Sequence, residues 1–235
     1  MRKGKNMFSQ DYMIEKRISS LMIGVYGWMS CALTVTALTA YGVALHPPLF
    51  FYVQQSGILF GLVLMQVAFV IGLSLFLNRI SYATALIMFL LYALSLGVTL
   101  SVIFYVYTQA SIISAFLSTA LMFGVMSFYG YVTRTDLTHI GNISIMALCG
   151  IFIAMLVNIF LRSAAFDYII SVIGIIVFVL LTAYDTQKIK SFSRSMIMHE
   201  EIKNKIALIG ALMLYLDFIN LFLFILRVFG NKRNE

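Results

Sequence analysis

Charge is what this chain has least of. From Ile18 to Asn78, and again from Ile80 to Thr133, there is no Asp, Glu, Lys or Arg, and charged residues make up only 11% of the 235 positions. A soluble domain carries roughly 25%, and runs this long exceed any core helix of a water-soluble fold. A globular cytosolic domain is therefore excluded. Proline is nearly absent too, with two residues side by side at Pro47 and Pro48, so long helices can run unbroken. Two cysteines rule out a disulfide scaffold. Cys31 and Cys149 fall in apolar runs and are expected to be small buried hydrophobes. The three histidines, His46, His139 and His199, lie in or beside connections, and neither GxSxG nor HExxH occurs, which argues against a membrane enzyme.

What is present is hydrophobic: 62% of residues, with a mean hydropathy of +0.98. The expectation is an all-α integral membrane protein. Spans need ~20 apolar residues, and polar or turn-forming punctuation at 46–48, 78–79 and 107–109 helps divide the chain into seven: about 20–44, 57–77, 82–105, 111–131, 142–161, 168–188 and 206–228. Residues 1–19 form a basic tail, 20–229 a seven-helix transmembrane domain, and 230–235 a short tail at the other end. The apolar stretch after Arg2, Lys3, Lys5, Lys16 and Arg17 is too long for a signal peptide, so it is read as a first helix that is retained. Gly57 and Gly61 supply GxxxG spacing for helix packing.

The net charge of +7 orients the chain. With the N-terminus in the cytoplasm, 12 of the 16 Lys and Arg residues fall inside, among them Arg79, Arg134 and the basic residues of the 188–205 connection. These clusters flank helix ends and lack a stacking platform, so nucleic acid is not a partner. Seven full spans export the basic residues Arg227, Lys232 and Arg233, against the same rule; a last segment that enters and returns would remove the conflict.

Two carboxylates stand out. Asp185 closes the sixth apolar run and Asp217 lies near the middle of the seventh. An ionisable residue in a span costs at least ~2.5 kcal/mol on insertion scales, so by default it faces a bundle interior or a wet cavity. At 1.5 Å per residue the two reach one depth only if helix six continues past Lys190, or if helix seven starts late or tilts. If they meet, both cannot ionise cheaply, and the pair titrates in two macroscopic steps. Sharing a proton ties the helices together; losing it drives them apart or recruits a hard cation such as Ca²⁺ to a site built on Asp185 and Asp217. The bland alternative is a structural carboxylate held by Arg or by backbone donors. Arg79 is either a latch for one aspartate or a solvated positive-inside residue. Asn158, Asn220 and Gln66 are polar residues within spans that suit helix contacts or a pore lining. Arg227 is read as a snorkelling residue.

Ala183-Tyr-Asp185-Thr-Gln187 followed by Gly210-Ala-Leu-Met-Leu-Tyr-Leu-Asp217-Phe-Ile-Asn220 resembles the signature of the Bax inhibitor-1, or transmembrane BAX inhibitor motif, family. Val25-Tyr-Gly-Trp28-Met resembles the first helix of its bacterial branch, and Phe123 to Leu137 its fourth helix and following turn. The resemblance covers residues 20–231. It implies a seven-helix bundle with the last helix central, in a bacterial plasma (inner) membrane. It also implies a pH-sensitive calcium leak gated by a di-aspartyl pair, carried over to Asp185 and Asp217, with lipid, Ca²⁺ and protons as partners and no cofactor. In bacterial relatives an arginine of the second helix pairs with one aspartate; Arg79 is the candidate, though no motif fixes the match. Arg134-Thr-Asp136 departs from the family's two adjacent basic residues, and the 188–205 connection is longer than in compact members. A second class of function is a non-conducting regulator that binds a membrane protease or stress-response complex through residues 1–17 or that connection.

Overall fold

The computed structural model describes residues 2–76, 80–195 and 200–233, and among these the chain is helical apart from turns and one isolated bridge. The helices are α1 (Arg2–Ala44), α2 (Pro47–Val53), α3 (Ser56–Phe76), α4 (Tyr82–Leu100), α5 (Ile103–Val106), α6 (Gln109–Val132), α7 (Thr138–Leu161), α8 (Ala164–Ser195) and α9 (Glu200–Phe229). In lipid every backbone N–H and C=O has to be satisfied within its own segment, which leaves the helix as the natural form for such apolar runs.

Six helical stretches are long and apolar enough to cross a membrane: Ile14–Ala44, Tyr82–Val106, Gln109–Val132, Thr138–Leu161, Ala164–Phe192 and Lys203–Phe229. The expected second span is different. It consists of α2 and α3, bent by 72°, and only if that pair counts as one span does the number reach seven. Pro47 and Pro48 open α2 in the first-turn positions where a missing N–H does no harm, and the bend itself falls at Gln54 and Gln55, where the Gln55 N–H turns to the Tyr52 carbonyl at 3.3 Å. The basic segment expected as a separate tail is the beginning of α1, which starts at Arg2.

Two compact units divide the chain. The first comprises residues 1–101 and 188–212. Here α1 buries one stripe, Ile18, Leu21, Met22, Val25, Met29, Ala32, Thr36, Ala40 and Val43, at the three- and four-residue spacing of a helix face. Thr36 donates to the Ala93 carbonyl of α4 at 3.0 Å. Gly97 makes that approach feasible, since a Cβ there would lie 2.6 Å from the Thr36 carbonyl oxygen. Gln66 of α3 donates to Thr99 of α4 at 2.8 Å, a bond between helices. Gly57 and Gly61, by contrast, have no heavy atom within 4 Å of their Cβ positions, so close packing in this unit occurs at Gly97 and not at the GxxxG pair.

The second unit comprises residues 102–187 and 213–235. Of the six spans the last is the most enclosed, 72% buried against 11% for Thr138–Leu161. It runs as one helix from Glu200 to Phe229 without turning back. Residues after it strap onto the α5–α6 turn: Asn231 accepts from the Thr108 N–H at 3.1 Å, and the Arg233 N–H donates to Val106 at 2.9 Å. A re-entrant last segment is thereby ruled out, and Lys232 and Arg233 lie at the α5–α6 end. Cys31 and Cys149 are exposed and not buried as expected, each on an outward helix face.

Gly97→Ala is expected to lower unfolding stability by about 1–3 kcal/mol through overpacking, whereas Gly27→Ala, where the Cβ position meets nothing within 4 Å, leaves it unchanged or raises it. Thermal unfolding of both variants in the same detergent checks the contrast.

Candidate functional site

The segment Thr182–Gln187 of α8 is held on nearly every side. Gly130 of α6 brings its backbone so near that any Cβ would collide with the Ala183 carbonyl, and Gly141 of α7 lies flat against the Tyr184 ring. The Ser127 and Thr186 hydroxyls are hydrogen-bonded at 2.9 Å across α6 and α8. Gln187 uses both ends of its amide: Oε1 accepts from the Leu137 N–H at 2.9 Å, and Nε2 donates to the Thr135 carbonyl at 2.8 Å. The α6–α7 turn is thus pinned to α8. Thr135 stands where the resemblance implies the second of two adjacent basic residues before the Asp, and Gln187 meets its backbone carbonyl and not its side chain. Asp136 Oδ1 accepts from the Thr138 N–H at 2.9 Å. The Thr138 hydroxyl foremost, and then this backbone bond, hold the exposed Asp136 carboxyl below the usual carboxylate range.

Asp185 sits in the middle of this clamped segment, half-buried. α8 continues through Ser195, satisfying the requirement that the helix pass Lys190. Asp217 projects from α9 among apolar neighbours, is 5% exposed, and its Oδ2 is buried without a hydrogen-bond partner among the described residues. The Asp185 carboxyl is close enough to act on Asp217 electrostatically. Phe218, the next residue, stacks edge-on against Phe116 and Phe123 of α6, with ring centroids 5.5 Å away in each case. That contact sets the rotation of α9 beside the pair. Gly174 on α8 admits the Phe224 ring of α9, which would crowd a Cβ at 2.7 Å.

With the geometry assembled, the likeness to known proteins can be placed on it. Residues 18–234 match the profile of the family described as inhibitor of apoptosis-promoting Bax1. The chain belongs to the Bax inhibitor-1 family. It is 45% identical over 227 residues to the inner membrane protein YbhL of Escherichia coli K12, covering 95% of this chain and 97% of that one. An uncharacterized protein of Borreliella burgdorferi is 45% identical over 212 residues, with 90% and 91% covered. The protein RP147 of Rickettsia prowazekii is 39% identical over 228 residues, with 96% and 95% covered. Family membership therefore spans the whole bundle.

The other polar residues singled out in the sequence lie elsewhere. Asn158 Oδ1 accepts from the Ser163 N–H at 3.1 Å, so it closes the α7–α8 turn, helped by Arg162 in the left-handed region at φ 51°. Asn220 donates back to the Leu216 carbonyl at 2.8 Å within α9, the local bond an amide in a dry helix finds most easily. Arg79 lies outside the described residues. Arg227 does more than snorkel. It contacts Asp167 in the first turn of α8 at 3.3 Å and lies 5.6 Å over the Phe224 ring. Asp167 went unremarked in the sequence because its position at the start of an apolar run looks like ordinary solvent exposure; its four-residue offset from Ser171, which donates to the Asp167 carbonyl, gave no hint of Arg227 sixty residues away. Burial raises the Tyr107 hydroxyl above its ordinary range, with smaller opposing effects from Arg227 and Asp167.

Gln187→Leu leaves the Leu137 N–H and the Thr135 carbonyl without their partner, and a loss of about 1–3 kcal/mol is expected in equilibrium unfolding, with helical content unchanged. For Asp136 the folded carboxyl is the stronger acid, so its contribution is complete above the unfolded value of ~3.9 and is lost as pH falls through the folded one. The melting temperature deficit of Asp136→Ala at pH 7 is accordingly expected to narrow as pH drops below about 4.

Proposed function

We propose that the protein is a proton-gated cation leak, with Ca²⁺ as the permeant ion, in a bacterial inner membrane. The observation that carries this reading is the buried Asp217, with an unpartnered carboxyl oxygen, set against Asp185 on the neighbouring helix. A buried polar oxygen without a donor is uncommon in a native fold, and a second carboxyl beside it makes the full ionisation of both costly. Sharing one proton resolves both problems and holds α8 to α9. When that proton leaves, like-charge repulsion acts between a clamped partner, Asp185, and α9, so α9 is the element that yields.

Two carboxylates suit passage of a hard divalent cation more than its storage. Such an ion takes six to eight oxygen ligands in a resident site, and among the described residues there is no cluster of three or more His, Cys, Asp or Glu side chains. Ca²⁺ is accordingly proposed as the permeant ion, held only transiently at Asp185 and Asp217. The inner-membrane setting follows from YbhL, and a cytoplasmic N-terminus from the positive-inside distribution.

Full-length protein in liposomes is expected to pass Ca²⁺ faster as pH rises through the titration of the pair, by at most about tenfold per pH unit for a one-proton step. Asp185→Asn and Asp217→Asn should each flatten that profile. If both variants conduct and titrate like the parent, the gate lies elsewhere.

A further inference from the structure

At the α5–α6 end of the second unit, a cavity of about 580 Å³ opens between α6, α8 and α9. Its volume lies in the ~300–1,000 Å³ range of ligand pockets. Apart from Tyr168 on α8, the walls contributed by α8 and α9 are apolar, with Val172, Ile176, Ile225 and Phe229 among them. The α6 wall is different: Ser111, Ser114 and Ser118 descend it over about 10 Å. Hydroxyls in apolar helices ordinarily bond back to a carbonyl one turn earlier, as Thr119 does to Ala115 at 2.7 Å. Ser114 and Ser118 are exposed, and among the described residues neither has a hydrogen-bond partner. Two unpaired hydroxyls thus stand along an otherwise greasy slot.

Basic residues adjoin the slot. Ser111 Oγ, in its wall, accepts from the Asn231 N–H at 2.9 Å, and Lys232 and Arg233 follow directly in the chain. Both side chains are exposed, and Lys232 has no partner among the described residues. The Arg233 guanidinium reaches the Phe104 carbonyl at 3.5 Å. The one carboxylate facing this end from α8, Asp167, is already taken by Arg227. Adjoining positive charge, hydroxyls along one wall and apolar walls opposite match, in that order, the phosphate, ester and acyl layers of a phospholipid.

We infer that this cavity seats one acyl chain of an anionic bilayer phospholipid, its phosphate beside Lys232 and Arg233 and its ester oxygens facing Ser114 and Ser118. Basic residues at a helix end attract anionic headgroups by about fivefold each, and a lateral slot between helices converts that attraction into a defined site. The lipid wedges between α6 and α9 at the end where α9 is anchored, independently of the acidic pair.

Native mass spectrometry of the full chain, released from vesicles of equal phosphatidylglycerol and phosphatidylcholine, tests the assignment. The parent is expected to retain one phosphatidylglycerol in preference to phosphatidylcholine. Lys232→Gln with Arg233→Gln, both exposed, should keep a retained lipid at unchanged helical content while cutting the preference by about fivefold or more. Ser118→Phe, which fills the slot from an exposed position, should lose the retained lipid at unchanged helical content. Equal retention of the two lipids by the parent, or an unaltered preference in the double variant, overturns the inference. So does a dimer that dissociates in Ser118→Phe with no lipid retained, which would place a second copy in the slot.

Discussion

Gly130 allows the α6 backbone to pass the Ala183 backbone with no side chain between them, and the acidic pair depends on that approach. Closing the gap brings Ser127 onto Thr186 and the α6–α7 turn onto Gln187, so six consecutive residues of α8 lose their freedom together. A carboxylate on so fixed a platform cannot swing away from a like charge. On the proposed reading, strain between Asp185 and Asp217 would pass to α9.

α9 is in turn restrained at one end. Arg227 contacts Asp167, and the residues beyond Phe229 hydrogen-bond along the α5–α6 turn. Asp217 lies ten positions before Arg227, roughly 15 Å along a helix. Edge-on packing of Phe218 against Phe116 and Phe123 fixes the rotation of α9 between the anchor and the pair. The proposed lipid slot shares the anchored end, so bilayer composition and protonation would act on the same helix from two positions.

The chain belongs to the Bax inhibitor-1 family, and its likeness to YbhL extends over 97% of that protein. Family membership accounts for the architecture. The Gln187 clamp and the serine-lined slot follow from geometry within the second unit.

Much of the fold was legible in the chain because a bilayer imposes a length on every apolar run and forbids unpaired backbone. The spans at Tyr82–Val106, Gln109–Val132 and Thr138–Leu161 begin and end within a few residues of where polar punctuation puts them. Asp185 and Asp217 were conspicuous for the same reason, as charges where lipid tolerates few. Composition could not say that Pro47 and Pro48 would begin a short helix, nor that the chain would bend between that helix and α3. Nor could it choose among glycines: the GxxxG spacing at Gly57 and Gly61 is empty, while Gly97, Gly130 and Gly174, which no such spacing marks, carry the close contacts. Asn158 and Asn220 found local partners, and Arg227 found Asp167 across sixty residues. Periodicity and hydropathy are properties of one segment at a time, so the sequence by itself determined which stretches cross the membrane and which charges are exceptional. Which helix faces meet, and therefore which polar atoms are satisfied and which are left open, is decided by packing between distant segments, and only the tertiary structure records it.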